Sequence, residues 1–361
     1  MKNNSNKKIA IIYSGGRYFG GIEQYLVNLF KYIDKEYFEL ELLSLGQWPL
    51  TERLNIQGDK VVIFSGKRIN PKTISDIGHY LKDNEFDLLV SQGTVANAYA
   101  RVISFKYKIP NLVTVHSTQV GDYSNPLIRT IYASIEKLTR FPTKKYIAVS
   151  QYLKNQMIKS GLSANKINVV YNGLNFPKSS PKQHEGMVIG SVGRLHPVKG
   201  YDSLIEAFSK LKNKNILLKI AGSGDELDSL KNLAVELGVS GRVEFVGFQR
   251  DIYKFLNTID IYVQPSISEG FGLAVVEAMS QGLPVIVTPA GSLMEIVNDG
   301  ETGLISKDFS PQHIAFLITK LIDNRDISKQ LGENAQKYVL KNFDTKKWIE
   351  NTAKVYKEVL K

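Results

Sequence analysis

The chain has no cysteine among its 361 residues. That excludes disulfides, thiolate zinc sites, iron–sulfur clusters and a cysteine nucleophile, and it suits a reducing compartment. Long apolar runs are missing too: none approaches the roughly 18 to 20 residues that a membrane-spanning helix needs. The basic start, Met1 to Lys8, is followed by only Ile9-Ala10-Ile11-Ile12 before Tyr13-Ser14-Gly15-Gly16. This is too short for a secretory signal, so the run is expected to be the first strand of a cytoplasmic protein. No Asp-x-Asp triplet suggests a metal site, and neither repeats nor low-complexity tracts occur.

Acidic side chains are scarce in one half only. The formal net charge is +11, yet residues 181–361 hold 22 basic and 22 acidic side chains, while residues 1–180 hold 24 and 13. Residues 101–180 alone carry 12 basic against 2 acidic. A one-sided field of this kind points to an anionic partner such as a membrane, a nucleic acid or a phosphorylated substrate; the plain alternative is a solvated basic face. With 43% hydrophobic and 22% charged residues the chain can bury a core, and its length fits two domains or one large one.

Strand-like runs alternate with helical ones throughout. In the first half they are 8–14, 38–45, 60–65, 86–91, 111–116, 145–150 and 167–172, mostly continuous apolar runs as expected of strands covered on both faces. Between them, Ile22, Leu26, Leu29 and Phe30 fall on one helical stripe. Residues 177–186 are polar, proline-bearing and aperiodic, which reads as a linker. Alternation then restarts: strands 187–192, 216–221, 243–246, 259–263 and 284–288, with helices 201–211, 226–237 and 273–280. The last stretch, from Phe343 to Leu360, is amphipathic around Trp348, Ala353, Tyr356 and Val359. The expected architecture is α/β: two doubly wound Rossmann-like domains, 1–176 and 187–342, facing a central cleft at the carboxyl ends of their strands. Residues 343–361 form a last helix.

Three constellations could carry chemistry. The strongest runs from Glu269 through Gly270, Phe271, Gly272 and Leu273 to Glu277, where a strand passes by a loop into a helix. Free N–H groups at a helix start form an anion site, and glycines let a phosphate approach the backbone. A carboxylate accepts from two vicinal hydroxyls, so Glu269 and Glu277 suit a ribose or pyranose. The bland alternative makes Glu269 a helix cap and Glu277 a solvent-facing residue, but Glu277 lies in a mostly apolar helix where a lone carboxylate is costly. The second constellation, Gly193-Arg194-Leu195-His196-Pro197-Val198-Lys199-Gly200, places two cations at a strand end where they can meet a diphosphate, with His196 read as a loop residue. In the third, Gly15, Gly16, Gly20 and Gly21 join the first strand to a helix and offer N–H groups to an anion, in neither the dinucleotide nor the P-loop pattern. His116, at a strand end, faces the expected cleft or serves a structural role.

Together these residues resemble the retaining glycosyltransferases of the GT-B fold, family 4 (glycosyl transferases group 1). Glu269 and Glu277 match the E-x7-E signature, and Gly193, Arg194, Lys199 and Gly200 match the G-R…K-G turn. Gly20-Gly21-Ile22-Glu23, His116 and Asn172-Gly173 match the first domain more loosely, and Asn175 stands where the family often has Asp. The resemblance implies a nucleotide-diphosphate sugar donor and a saccharide or lipid-linked acceptor, in cell-surface polysaccharide or glycolipid synthesis. It implies that Arg194 and Lys199 neutralise the diphosphate with help from the backbone of Gly270, Phe271, Gly272 and Leu273. Glu277 would take the ribose, Glu269 the donor sugar, and Gly20, Gly21 and Gly193 would lie against the donor, with His116 near the transferred sugar. Front-face retention is implied, with a donor phosphate oxygen as base and neither cofactor nor metal, and the last helix crosses back to the first domain.

Rival readings differ at definite points. A hydrolase pair needs carboxyls within about 10 Å, whereas eight residues of helix span about 12 Å. A nucleotide-sugar epimerase on the same plan would need no acceptor, and a non-catalytic binding subunit would tolerate loss of a signature residue. A nucleic-acid partner is not expected, because charge alone suggests it. An anionic membrane is expected to meet the first domain, placing the protein peripherally on the inner face of the cytoplasmic membrane. Tyr99–Lys108, if helical, sets Arg101, Phe105 and Lys108 on one face, and Arg129, Lys137, Arg140, Lys144 and Lys145 add charge against Glu136.

Overall fold

The apolar run Ile9–Ile12 is continuous because each face of its strand packs on a different core. In a computed structural model, which describes residues 6–16, 18–64, 70–117, 130, 134, 136–177 and 186–361, the strand is Lys7–Tyr13 (β1). Ile9, Ile11 and Tyr13 enter a core shared with Tyr25, Leu26, Leu29 and Phe30 of helix Gly21–Tyr32. Ala10 and Ile12 enter the other, with Ile77 and Leu81 of helix Pro71–Asp83 and Tyr99 and Ile103 of helix Thr94–Tyr107. That alternation makes a sheet with helices on both faces.

The chain divides into two units, Met1–Gly173 with Thr345–Lys361, and Leu174–Asp344. In the first, Phe38–Ser44 (β2), Lys60–Ile63 (β3), Leu88–Gln92 (β4), Asn111–Val115 (β5), Thr143–Ala148 (β6) and Ile167–Val169 (β7) join β1 in the order β3-β2-β1-β4-β5-β6-β7. All the pairings are parallel. The last helix, Thr345–Leu360, belongs to this unit and buries Trp348, Val355 and Tyr356 in the core beneath β1.

In the second unit Met187–Val192 (β8), Ile216–Ala221 (β9), Val243–Gly247 (β10), Ile261–Gln264 (β11), Val285–Val287 (β12) and Leu304–Ile305 (β13) form a parallel sheet, β10-β9-β8-β11-β12-β13. Helices Tyr201–Ser209 and Pro311–Asp323 cover one face. In both sheets the strand order reverses beside the first strand, at β1/β4 and at β8/β11. Ligands of doubly wound sheets bind at the carboxyl ends of such strands. The loops there contain Gly15–Gly21, Gly193–Gly200 and Ser266–Gly272.

Some boundaries differ from the sequence reading. Residues 174–176 sit with the second unit, because Leu174 N–H donates to the Phe343 carbonyl at 2.9 Å. Residues 178–185 of the expected linker lie outside the described residues. Phe86 closes the preceding helix, its N–H donating to the Leu81 carbonyl, so β4 starts at Leu88.

Candidate functional site

Two constellations separated by about seventy residues in sequence meet in the second unit. The Gly193–Gly200 loop leaves β8 and ends in a short 3-10 turn, Pro197–Lys199, capped by His196, whose Nδ1 accepts from Val198 N–H at 3.3 Å. His196 is therefore a cap, and burial followed by the neighbouring Arg194 charge lowers its pKa. The loop after β11 lies directly against this turn: Ile267 N–H donates to the Val198 carbonyl at 2.8 Å. Contact is so close at Gly200 (φ +66°) that a Cβ would stand 2.2 Å from the Pro265 carbonyl oxygen, which forbids any side chain.

The side chains meet as well. Lys199 Nζ donates to Glu269 Oε2 at 2.6 Å, with both groups mostly buried. A buried relay supports the carboxylate from below. Tyr262 Oη donates to Gln264 Oε1 at 2.6 Å, Gln264 Nε2 to Ser266 Oγ at 2.8 Å, and Ser266 Oγ to Glu269 Oε2 at 3.2 Å. Glu269 is thus fixed by three side chains in series and by Lys199 directly, and it is not a helix cap. The sequence reading missed Tyr262, Gln264 and Ser266; their only signal was polarity at the end of an apolar strand. Arg194, by contrast, is exposed and makes no hydrogen bond or ion pair among the described residues. It leaves a cation on the loop that carries Lys199, within electrostatic reach of His196.

Helix Leu273–Ser280 starts at Gly272, whose φ of +89° and closeness to Leu293 (2.6 Å from a built Cβ) admit only glycine. No side chain caps this end, so its first-turn N–H groups are directed at the loop. Phe271 turns its ring inward, 3% exposed and 5.6 Å from Phe343, so only its backbone is offered to the loop. Glu277 lies half-buried on the second turn, and burial pushes its carboxyl up to about 8. Only part of it meets solvent. Its carboxyl is therefore desolvated.

In the first unit Glu23 organises the glycine loop. Its Oε2 accepts from Gly20 N–H at 2.7 Å and its Oε1 from the Tyr13 hydroxyl. The Gly20 N–H is therefore committed to Glu23. What Gly20 and Gly21 offer a ligand is open backbone at the start of helix Gly21–Tyr32. His116 directly follows β5, and its Nε2 stands 2.7 Å from Gln92 Oε1. Burial pushes the imidazole down to about 3.

The expected membrane face needs a correction. Arg101 is only 1% exposed. It pairs with Glu136 at 3.5 Å and donates to the Glu136 carbonyl and Thr139, because an arginine on the inner face of helix Thr94–Tyr107 needs partners when desolvated. Phe105, Lys106 and Lys108 are exposed, as are Lys137, Phe141 and Lys144. Arg140 donates to the Ser160 carbonyl, and Lys145 pairs with Glu358 at 3.6 Å. Arg129 lies outside the described residues. Among the described residues, no helix is long and apolar enough to cross a membrane, and no three carboxylate or imidazole groups gather as a metal site.

Comparison with known proteins bears on the family and the fold. Residues 174–338 match the family model described as glycosyl transferases group 1, and residues 19–176 match that of Glycosyltransferase Family 4. An uncharacterized glycosyltransferase of Methanocaldococcus jannaschii is 32% identical over 273 residues, covering 69% of this chain and 70% of the relative. The UDP-Gal:alpha-D-GlcNAc-diphosphoundecaprenol alpha-1,3-galactosyltransferase of Escherichia coli is 23% identical over 93% of both chains. Among solved structures, Anabaena HepE in complex with UDP and glucose superposes with a TM-score of 0.86 at 22% identity, over 98% of this chain and 100% of that one.

Proposed function

The chain belongs to glycosyltransferase family 4, the glycosyl transferases group 1, and has the GT-B fold; on that premise we propose that it transfers a sugar, with retention, from a nucleotide-diphosphate sugar to a saccharide or lipid-linked acceptor. The reading is carried by one observation: the loop that bears Arg194 and Lys199 meets the loop leading into the uncapped start of helix Leu273–Ser280, at the carboxyl ends of β8 and β11. Two cations and a helix start in one place suit a diphosphate. The relatives point the same way, HepE through the UDP and glucose it binds and the E. coli enzyme through its UDP-galactose donor and lipid-diphosphate acceptor.

In this reading the bond between the sugar's anomeric carbon and the diphosphate oxygen breaks, and its electron pair stays on that oxygen. Arg194, Lys199 and the backbone N–H groups from Gly270 to Leu273 stabilise the charge as it grows, in place of a divalent ion. Gly193, against which the Tyr201 hydroxyl packs, carries the backbone past the phosphates into Arg194. The acceptor hydroxyl attacks from the face the diphosphate leaves, and its proton passes to the departing phosphate oxygen, which accounts for retention without a protein nucleophile. Glu277 holds the ribose hydroxyls, and Glu269, braced by Ser266 and Lys199, holds hydroxyls of the donor sugar. Gly20 and Gly21 lie against the diphosphate, and His116 stands beside the transferred sugar.

The acceptor belongs to cell-surface polysaccharide or glycolipid synthesis. The exposed cations Lys106, Lys108, Lys137 and Lys144, interleaved with Phe105 and Phe141, meet an anionic membrane there. A thermal-shift screen of nucleotides and nucleotide sugars tests the donor assignment, since a bound donor stabilises the fold by mass action. The matching nucleotide sugar should raise the melting temperature of the parent and not of Arg194→Ala/Lys199→Ala. Equal shifts in both proteins would refute the site.

A further inference from the structure

His116 is held from two elements, one of them backed by a third. Gln92 at the end of β4 pairs in register with Thr114 of β5, so the Gln92 side chain rises on the same face as His116, two residues on. Its Oε1 stands 2.7 Å from His116 Nε2, and Gln92 is fully buried. From helix Gly21–Tyr32, Tyr25 meets the imidazole edge-on with centroids 4.7 Å apart. Trp348 of the last helix meets Tyr25 in turn at 4.9 Å. Tyr25, backed by Trp348, thus packs against the ring, and Gln92 stands at its Nε2.

No group among the described residues that faces this ring carries charge. Gln92 is an amide, and burial raises the Tyr25 phenol far above its ordinary value, so it stays protonated. Burial alone sets the imidazole well below neutrality. A neutral imidazole has one N–H and one lone pair, and whichever nitrogen donates leaves the other to accept. We propose that Gln92 is a positioning residue that fixes His116 in the Nε2–H tautomer, so that Nδ1 presents its lone pair to a hydroxyl of the transferred sugar. This rests on the placement of His116 beside that sugar. The chemical benefit is twofold: the sugar is oriented by an acceptor, and no imidazolium repels the positive charge that develops on the anomeric carbon.

Ring ¹⁵N NMR of the full chain reads the tautomer without any substrate, and His116→Ala identifies its signals among the five histidines. The expected parent spectrum shows a protonated Nε2 and a bare Nδ1, unchanged from pH 5 to 8. Gln92→Glu sets a carboxylate against Nε2 and should bring the ring's titration into that range. Turnover at saturating donor, using the nucleotide sugar selected by thermal shift, should then fall as pH drops through the new pKa while the parent profile stays flat. Gln92→Leu should show mixed tautomers and lose about tenfold in kcat with little change in KM. A parent ring protonated at Nδ1 would overturn the proposal, as would Gln92→Leu with parental tautomer and kcat. Parental turnover by His116→Ala would instead remove His116 from the sugar site, an outcome of the functional reading that the tautomer measurement does not depend on.

Discussion

Donor binding should tighten as pH rises, and Glu277 sets by how much. Burial lifts its carboxyl from an ordinary 4.5 to about 8, so the group is mostly protonated at pH 6.5 and mostly ionised at pH 8.5. If only the carboxylate accepts both ribose hydroxyls, the competent fraction rises from about 3% to about 76%, and the apparent Kd falls about 25-fold across that window. Calorimetric titration of a nucleotide sugar, whose diphosphate diester does not titrate there, measures this directly, and comparing buffers of different ionisation heats counts the proton released. Glu277→Gln should bind with a nearly flat pH profile. The same group affects folding with a definite sign. Between pH 4.5 and about 8 the folded chain keeps a proton that the unfolded chain has shed, so this group's contribution to stability falls as pH rises through the window. Its upper limit is about 5 kcal/mol at about 1.4 kcal/mol per pH unit, reduced because part of the side chain meets solvent. Denaturation at pH 5 and pH 8 should show Glu277→Gln gaining on the parent at the higher pH. A pH-independent Kd in the parent, or an equal slope in Glu277→Gln, would refute the reasoning.

Arg194→Ala and Lys199→Ala should each lower turnover 10²- to 10³-fold, about 2.7–4 kcal/mol of transition-state stabilisation, with circular dichroism unchanged; losses of only a few-fold in both would remove them from the leaving-group site. Transfer should give a retained anomer by NMR and should survive EDTA, whereas inversion, or loss with EDTA and recovery with magnesium, would sink the proposed route. Glu23→Gln should weaken the hold on the glycine loop and raise KM for the donor more than it lowers kcat, because Gly20 N–H loses a charged acceptor. Sedimentation with anionic vesicles should be salt-sensitive and should fall when Lys106, Lys108 and Lys137 become Glu, while Arg101, being buried, is the wrong residue to change for this purpose. Binding to neutral vesicles at the same level would leave the charge excess unexplained.

Which of these features the sequence disclosed follows from the range of the forces involved. The run Ile9–Ile12 announced a doubly covered strand because both cores draw on adjacent residues. The start of helix Pro311–Asp323 was equally local, a Ser310 cap accepting from His313 N–H with proline next in line, yet the pattern reading passed over it. Strand β13 has only two residues, too few for any period to show. The glycines and charged residues of each loop were visible one constellation at a time. The Lys199–Glu269 bond and the Gln92–His116 contact were not, since only the strand order brings those loops together. Arg101 misled for the same reason. Its spacing with Phe105 and Lys108 suggested a shared outer face, but its partner lies 35 residues away.

The last helix has a consequence for how this protein is made. Trp348, Ile349, Val355 and Tyr356 complete a core whose other buried members lie before Gly173, so the amino-terminal unit is the first to leave the ribosome and the last able to finish folding. At about 5–20 residues per second, synthesis of everything after Gly173 takes roughly ten to forty seconds. During that interval the second unit, contiguous in the chain, can form its own core while the first waits with an open flank. A nonsense codon or a protease cut just before Thr345 would therefore spare the second unit and cripple the amino-terminal one. A chaperone acting on the nascent chain would find its exposed apolar surface under β1.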